Sequence, residues 1–512
     1  RERLRSLETL RPAGEEFYAR ARSHVEGQYP PILRQLFEQV LPRFAEEFGR
    51  EAKGTKDDLG IVTDPVIKEA FLADSVAALI AKVLFIRFLE DLGLSHRRLT
   101  NGGLKSWGEF MSFLASDARA LLKVASLDLS GAFPSPFAEE TFSWLLDTNG
   151  ELDKSLQRLI LRVNAYDFSG LSEEVVGDIY QNFLPPQKRK RLGEFYTPKH
   201  VVDYILKETA LALPGDYPKL LDPACGSGTF LIRYLHYLEE DSRRRRVKLD
   251  PADVAKAIWG FDINPFASYV AAFQVLWGLL RIAEASEQGP AQREVPELHV
   301  YTLNSLLDDT DIRNQIPDLP QSPGEKARDD DQWDCVVGNP PYIRAERAKH
   351  GERLRSLYGG IWNTNIDTGL LFLWRAMRGA SGTERGWVRE GGRLGMVVSG
   401  GYASNEAAAP VWKSLVPGKG KWALRKLVWL EFAPKIWDAN VIPMILVLEH
   451  TPPKEEDTIE IWVPKKWPKD HPGEDERAEI RYADFFDKRV APWVEGEVAE
   501  GKEGPSLLPL LK

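Results

Sequence analysis

From about residue 190 the chain repeats one unit: an apolar strand, a turn rich in Gly, Asn or Pro, and a helix. KLLDPACGSG (219–228) runs from a strand into a turn, and TFLIRYLHYLEE continues as a helix. AIWGFDIN (257–264) is a second strand, with Pro265 opening the helix that follows. LHVYTLNSLL, WDCVVGNPPY, GGRLGMVVSGGY, RKLVWLEFAP and VIPMILVLEH supply five further strands. Strands alternating with helices predict a doubly wound α/β sheet with mostly parallel strands. Ligands of such sheets sit beyond the carboxyl ends of the strands. The turns DPACGSG, FDIN and NPPY all fall at such ends.

The chain before this region reads as mostly helical. Thr63-Asp64-Pro65 is a helix start, with Asp64 as cap and Pro65 at the first helical position. Beyond it Val76, Leu79, Ile80, Val83 and Leu84 recur at helical spacing. The apolar stretch FLADSVAALIAKVLFIRFLEDLGL carries Asp74, Lys82 and Arg87, which makes it a buried amphipathic helix and not a membrane span. Polar, Pro-rich residues 308–332 read as a surface insertion, and composition shifts again after His450. Three regions are therefore expected: a helical domain over 1–185, a sheet domain over 186–450, and over 451–512 a linker or the start of a C-terminal recognition region. The N-terminus is charged from Arg1 onward, without the apolar core of a signal peptide. It lacks an initial Met, so a processed piece or part of a longer protein is expected.

A net charge of −9 does not advertise a nucleic-acid partner, so any such surface must be a local patch. KRKR (Lys188, Arg189, Lys190, Arg191) and SRRRRVK (242–248) are the candidates for phosphate contact, against the alternative of solvated helix ends. Two cysteines exclude a disulfide framework or a four-cysteine zinc site and suit a reducing cytoplasm. Cys225 and Cys335 read as small buried residues. In DPACGSG, Gly226 and Gly228 permit a tight turn and close approach of a ligand at a helix N-terminus. Asp262 ends the next strand, where a doubly wound fold holds a ribose hydroxyl pair; the lesser alternative is a cap for the helix at Pro265. NPPY could be a strand-terminating turn. Beside the other two turns, it reads as a site.

LGEFYTP (192–198), LLDPACGSGTF (220–230), GFDINP (260–265) and VVGNPPY (336–342), in this order, resemble the motifs of S-adenosylmethionine-dependent N6-adenine DNA methyltransferases. The order is similar to that of the γ class found in restriction-modification and phage-defence systems such as BREX and DISARM. The resemblance implies a Rossmann-like class I methyltransferase sheet behind the helical N-terminal domain. It implies that Phe195, Tyr196, Thr197 and Pro198 close over S-adenosylmethionine. Asp222, Pro223, Ala224, Gly226 and Gly228 would hold its methionine end and Asp262 its ribose. Asn304 and Ser305 lie where the family often has an acidic residue reading the cofactor adenine. Asp367 and Phe372 (DTGLLFLW) resemble a later family segment, and FAPKIWDANVIPMILVLE the last core strand pair with a loop enclosing the target base.

The adenine amine is a poor nucleophile because its lone pair is delocalised into the ring. Acceptors at the Asn339 side chain and the Pro340 carbonyl would favour a pyramidal nitrogen. Pro341 stiffens the tip, and Tyr342 offers a face for a base taken out of the duplex. The resemblance thus implies an adenine-specific, site-specific DNA methyltransferase, cytoplasmic, acting on double-stranded DNA. A specificity subunit or C-terminal recognition domain, and other defence-system subunits, are the expected partners; no metal and no membrane are expected. The alternatives are an amine methyltransferase acting on RNA or protein glutamine, and a non-catalytic DNA- or partner-binding subunit of this fold.

Overall fold

The structure is a computed structural model. It describes parts of 76–99, then 118–130, 151–164, 197–285, 297–307, 332–348, 351–362, 366–380, 385–403, 406–430, 442–464 and 477–486. The helix start at 63–65, the basic run 188–191, Phe195, Tyr196, the insertion 308–331 and the loop 431–441 lie outside the described residues. The chain divides into two compact units, Arg1–Leu184 and Pro185–Lys512.

In the first unit residues 82–91 are helical, followed by α1 (Ala118–Ser130) and α2 (Glu151–Val163). Val76, Leu79, Ile80 and Val83 are buried, as the helical spacing requires. Two of the charges in this apolar stretch have partners within the unit. Arg87 reaches Asp91 one turn on at 2.9 Å, and Glu90 accepts the Leu99 N–H at 2.7 Å. No helix among the described residues is long and apolar enough to cross a membrane.

The second unit is built on a nine-stranded sheet in the order β3-β2-β1-β4-β5-β7-β6-β8-β9. The strands are β1 (Leu220–Asp222), β2 (Ile258–Asp262), β3 (His299–Thr302), β4 (Trp333–Gly338), β5 (Val388–Ser399), β6 (Ala423–Trp429), β7 (Pro443–Glu449), β8 (Thr458–Trp462) and β9 (Arg477–Arg481). The five from β3 across to β5 are all parallel, so their carboxyl ends share one edge. β7 runs antiparallel between β5 and β6. The order reverses between β1 and β4, which puts the switch point between Asp222 and Gly338.

The domain edge expected after His450 is corrected here, because β8 pairs in parallel with β6 and β9 closes the sheet antiparallel to β8. In TIEIW, Ile459 and Ile461 are buried while Glu460 faces Lys426 at 3.0 Å and Arg477 at 2.8 Å. That alternation is a strand in a segment whose charge and proline content disguise it.

Three helices set the site. α3 (Lys199–Glu208) carries the segment after FYTP onto the sheet. α4 (Thr229–Arg245) leaves the DPACGSG turn, and α5 (Thr368–Arg378) lies against β5. α3 seats closely because Gly395 of β5 has no side chain; a Cβ there would lie 2.7 Å from Ile205 Cγ2. Arg393 of β5 donates to the Glu208 carbonyl at 2.9 Å, and Arg233 of α4 bonds Asp203 of α3 at 2.6 Å. These ties fix where Thr197 and Pro198 meet the carboxyl edge.

Candidate active site

The DPACGSG turn is held by backbone bonds to its neighbours. Cys225 N donates to the Phe261 carbonyl at 2.9 Å, and Gly226 N donates to Asp262 Oδ2 at 2.8 Å. Asp262 Oδ1 accepts from Asn264 N at 2.8 Å, so this carboxylate organises the turn on either side. Gly226 has φ +53 with nothing within 4 Å of a hypothetical Cβ, leaving open space before a backbone only glycine adopts readily. Gly228 has φ +91, and a Cβ on it would lie 3.0 Å from that of Ala271. This glycine lets α4 pack at its very first turn.

Asp222 is buried at the end of β1 and accepts from Ala224 N at 3.1 Å. Burial pushes its carboxyl well above the usual range; the Ala224 N–H opposes this and the Asp262 charge adds to it. Ser305 Oγ donates to the Pro223 carbonyl at 2.6 Å, joining the β3 exit to the same turn. Asn304 turns its oxygen to its own backbone, accepting from Leu306 N at 3.2 Å.

Across the switch point, Gly338 abuts Asp222, with 3.0 Å from a hypothetical Cβ to Asp222 Oδ1. The Asn339-Pro340-Pro341-Tyr342 tip follows directly. Asn339 Nδ2 donates to Thr197 Oγ1 at 3.1 Å, and Tyr342 Oη donates to Asn339 Oδ1 at 2.8 Å. Burial around the phenol and the Asp367 charge push Tyr342 well above its ordinary value, so it remains a proton donor. Pro341 is anchored too, its carbonyl accepting from Thr368 Oγ1 at 2.5 Å. Residues 343–345 run antiparallel beside 366–368, with Thr368 N on the Ile343 carbonyl at 2.8 Å and Ala345 N on the Ile366 carbonyl at 3.0 Å. The tip is thus a braced ledge and not a free turn.

Asp367 caps α5, accepting from Leu370 N at 2.9 Å, and also accepts from the Tyr402 hydroxyl. Burial raises its carboxyl, while the Tyr402 hydroxyl and the N–H groups of Leu370 and Gly369 pull the other way. Burial likewise pushes the thiols of Cys225 and Cys335 well up, which leaves both poor nucleophiles. Among the described residues no cluster of His, Cys, Asp or Glu could hold a metal ion.

Residues 171–409 match the N-6 DNA Methylase family model. That segment is an N-6 DNA methylase domain. The methylase domain includes all four motifs quoted above, so the resemblance they carry holds. The chain is 25% identical over 326 residues to the type II restriction enzyme and methyltransferase RM.Eco57I of Escherichia coli, which covers 55% of this chain and 31% of that protein. It is 24% identical over 214 residues to the adenine-specific methyltransferase PglX of Streptomyces coelicolor, covering 37% of this chain and 18% of that one. The chain therefore spans less than a third of the length of these two relatives. The structure of a DrdV–DNA complex aligns with a TM-score of 0.52 at 12% identity, over 93% of this chain and 48% of that one. At such low identity this likeness establishes the fold alone, a mixed α/β architecture on a large, mostly parallel sheet.

Of the residues singled out from sequence, Thr197 with the tip 339–342 forms one bonded group, and Asp222, Pro223, Ala224 and Gly226 with Asp262 and Ser305 form another; the two abut where Gly338 meets Asp222. The run SRRRRVK lies elsewhere. It ends α4, which starts at the carboxyl edge and runs away from it, and two of its arginines pair with acids, Arg244 with Asp241 at 2.6 Å and Arg245 with Asp216 at 2.5 Å. Two features escaped motif reading. Ile263 is 44% exposed immediately after Asp262, and its signal is a large aliphatic at a strand exit. Tyr402, at the exit of β5, has no local signal at all.

Proposed function

We propose that this chain transfers a methyl group from S-adenosylmethionine to the N6 amine of adenine in DNA, as the modification chain of a restriction-modification or phage-defence system. The observation that carries this reading is the meeting, at one sheet edge, of a backbone-pinned Gly-rich turn and a braced Asn-Pro-Pro-Tyr tip.

The residues suit the cofactor. The open space before Gly226 admits a ligand against the backbone, with Asp222 and Asp262 on either side of the turn. Asp262 suits a ribose diol, since each carboxylate oxygen has more than one acceptor site. Exposed Ile263 offers an apolar face beside it for a purine. Thr197 and Pro198, with Phe195 and Tyr196, would close over the cofactor; Asp222, Pro223, Ala224, Gly226 and Gly228 would hold its methionine end, and Asn304 and Ser305 would face its adenine. Bound S-adenosylmethionine supplies an electrophilic methyl on a sulfonium.

The chain's own residues supply alignment. Asn339 Oδ1 and the Pro340 carbonyl accept from the two N–H groups of the adenine amine and draw its lone pair out of the ring. The fixed φ of Pro341 and its Thr368 bond keep the tip from yielding. The ring of Tyr342 stacks on the flipped base, worth about 1–3 kcal/mol against the few that flipping costs. Direct displacement needs this alignment more than a strong base, which agrees with the absence of a reactive thiol. Lys188, Arg189, Lys190 and Arg191 contact phosphates, and a specificity subunit or further recognition region reads the site. A chain with this role works in the cytoplasm.

The test is transfer of labelled methyl to duplex DNA, RNA and a glutamine-containing peptide side by side. Label in DNA alone, with calorimetric binding of the cofactor, is the expected result. Label in RNA or peptide, or cofactor binding without transfer to any DNA, overturns the reading.

A further inference from the structure

Two hydroxyls grip the carboxamide of Asn339 from far-apart points in the sequence. Nδ2 donates to Thr197 Oγ1, 142 residues away, at 3.1 Å, while Oδ1 accepts from Tyr342 Oη at 2.8 Å. The two partners are not interchangeable. A phenol gives its proton readily but accepts poorly, because its lone pair is shared with the ring. An aliphatic hydroxyl is the better acceptor. Together they favour one of the two flips a carboxamide can adopt: oxygen on the Tyr342 side, nitrogen on the Thr197 side. The reversed flip would present a donor to an amine that needs an acceptor.

Thr197 is well placed to impose that choice. It is 7% exposed, and it immediately precedes Pro198 and α3. α3 is tied to α4 by Arg233–Asp203 at 2.6 Å and to β5 by Arg393 on the Glu208 carbonyl at 2.9 Å. Tyr342 is braced separately, through the tip's pairing with 366–368. The carboxamide is therefore clamped between two independently fixed elements.

We propose that Thr197 is a positioning residue for methyl transfer, holding the Asn339 carboxamide in its acceptor-forward flip. This rests on the function proposed above and adds to the cofactor contact expected of the FYTP segment. A residue serving the cofactor alone would set its affinity. A residue holding Asn339 sets the rate once both ligands are bound.

Thr197→Val keeps the shape and removes the hydroxyl; Thr197→Ser keeps the hydroxyl. In single-turnover methyl transfer by the full chain at saturating S-adenosylmethionine and DNA, T197V is expected to slow transfer by roughly 10- to 100-fold. Any weakening of its Kd for S-adenosylhomocysteine, measured by calorimetry, is expected to be smaller than the loss of rate, and T197S to recover most of the rate. Combining T197V with Y342F should cost less than the product of the single losses, because both act on one carboxamide. A T197V rate within twofold of wild type at saturation, or a lost rate explained by weakened Kd, overturns the proposal. A wild-type chain that binds cofactor yet methylates no DNA overturns the functional reading and this proposal with it.

Discussion

Gly369, in the first turn of α5, has no side chain at the point where the ring of Tyr342 needs the room. A Cβ at Gly369 would lie 3.0 Å from Tyr342 Cδ1, 3.0 Å from the Tyr402 hydroxyl and 3.3 Å from Asp367 Oδ1. Comfortable carbon–carbon contacts begin near ~3.5–4.0 Å, so Gly369→Ala displaces the ring or the helix by roughly 0.5–1 Å. Overpacking of this kind costs about 1–3 kcal/mol, and removing a helical glycine restores about 1 kcal/mol, leaving a net destabilisation of about 0–2 kcal/mol. The effect on rate is larger, because a misplacement of ~1 Å at a reacting centre costs on the order of 100-fold. The expected result is a kcat for DNA methylation lowered by roughly 10- to 100-fold, with an unfolding free energy lowered by no more than about 2 kcal/mol. Gly360→Ala is the control, since nothing lies within 4 Å of its hypothetical Cβ. A G369A protein with wild-type kcat would refute the claim that the ring position of Tyr342 governs transfer.

Asp262→Ala removes the acceptor for two backbone donors, Gly226 N and Asn264 N, each at 2.8 Å. Unmet donors of this kind loosen the turn at a cost of about 1–3 kcal/mol, and the ribose acceptor proposed above is lost with them, so calorimetry should find cofactor affinity reduced by about tenfold or more. Unchanged affinity would remove Asp262 from the site. Asp222 yields a pH test: folding raises its carboxyl above the ordinary 3.8, so the folded state holds the proton more tightly. Its stabilising contribution is complete below that value and is lost as pH rises through the raised one. Asp222→Asn keeps an oxygen for Ala224 N and has no proton to lose. Its unfolding free energy relative to wild type should therefore improve as pH climbs above the carboxyl range, and parallel pH curves would contradict the assignment.

Seven strands were legible as apolar runs, several of which end in a turn residue with a specific geometric use. Gly226 with φ +53 and the proline pair after Gly338 are examples. β8 and β9 were not, since TIEIW and RAEIR sit among prolines and charges that outweigh a short alternation. The position of β7 between β5 and β6 could not be read either, because neighbour choice is a non-local matter that a strand's own residues do not encode. The site follows the same division. Asp222, Asp262 and Asn339 announce themselves by residue type at strand exits. The Thr197–Asn339 bond spans 142 positions, and Tyr402 meets Asp367 only through the fold. A motif marks where chemistry happens; what holds it steady comes from elsewhere in the chain.

The central claim is that Asn339 and its tip present acceptors to an adenine amine. The most direct measurement is to digest duplex DNA after incubation with methyl-labelled S-adenosylmethionine and identify the labelled nucleoside by mass spectrometry, for wild type and Asn339→Ala. The account predicts N6-methyladenine as the labelled nucleoside, and its loss in the N339A protein while cofactor binding persists. Label on cytosine, or N6-methyladenine formed equally well by N339A, would contradict it.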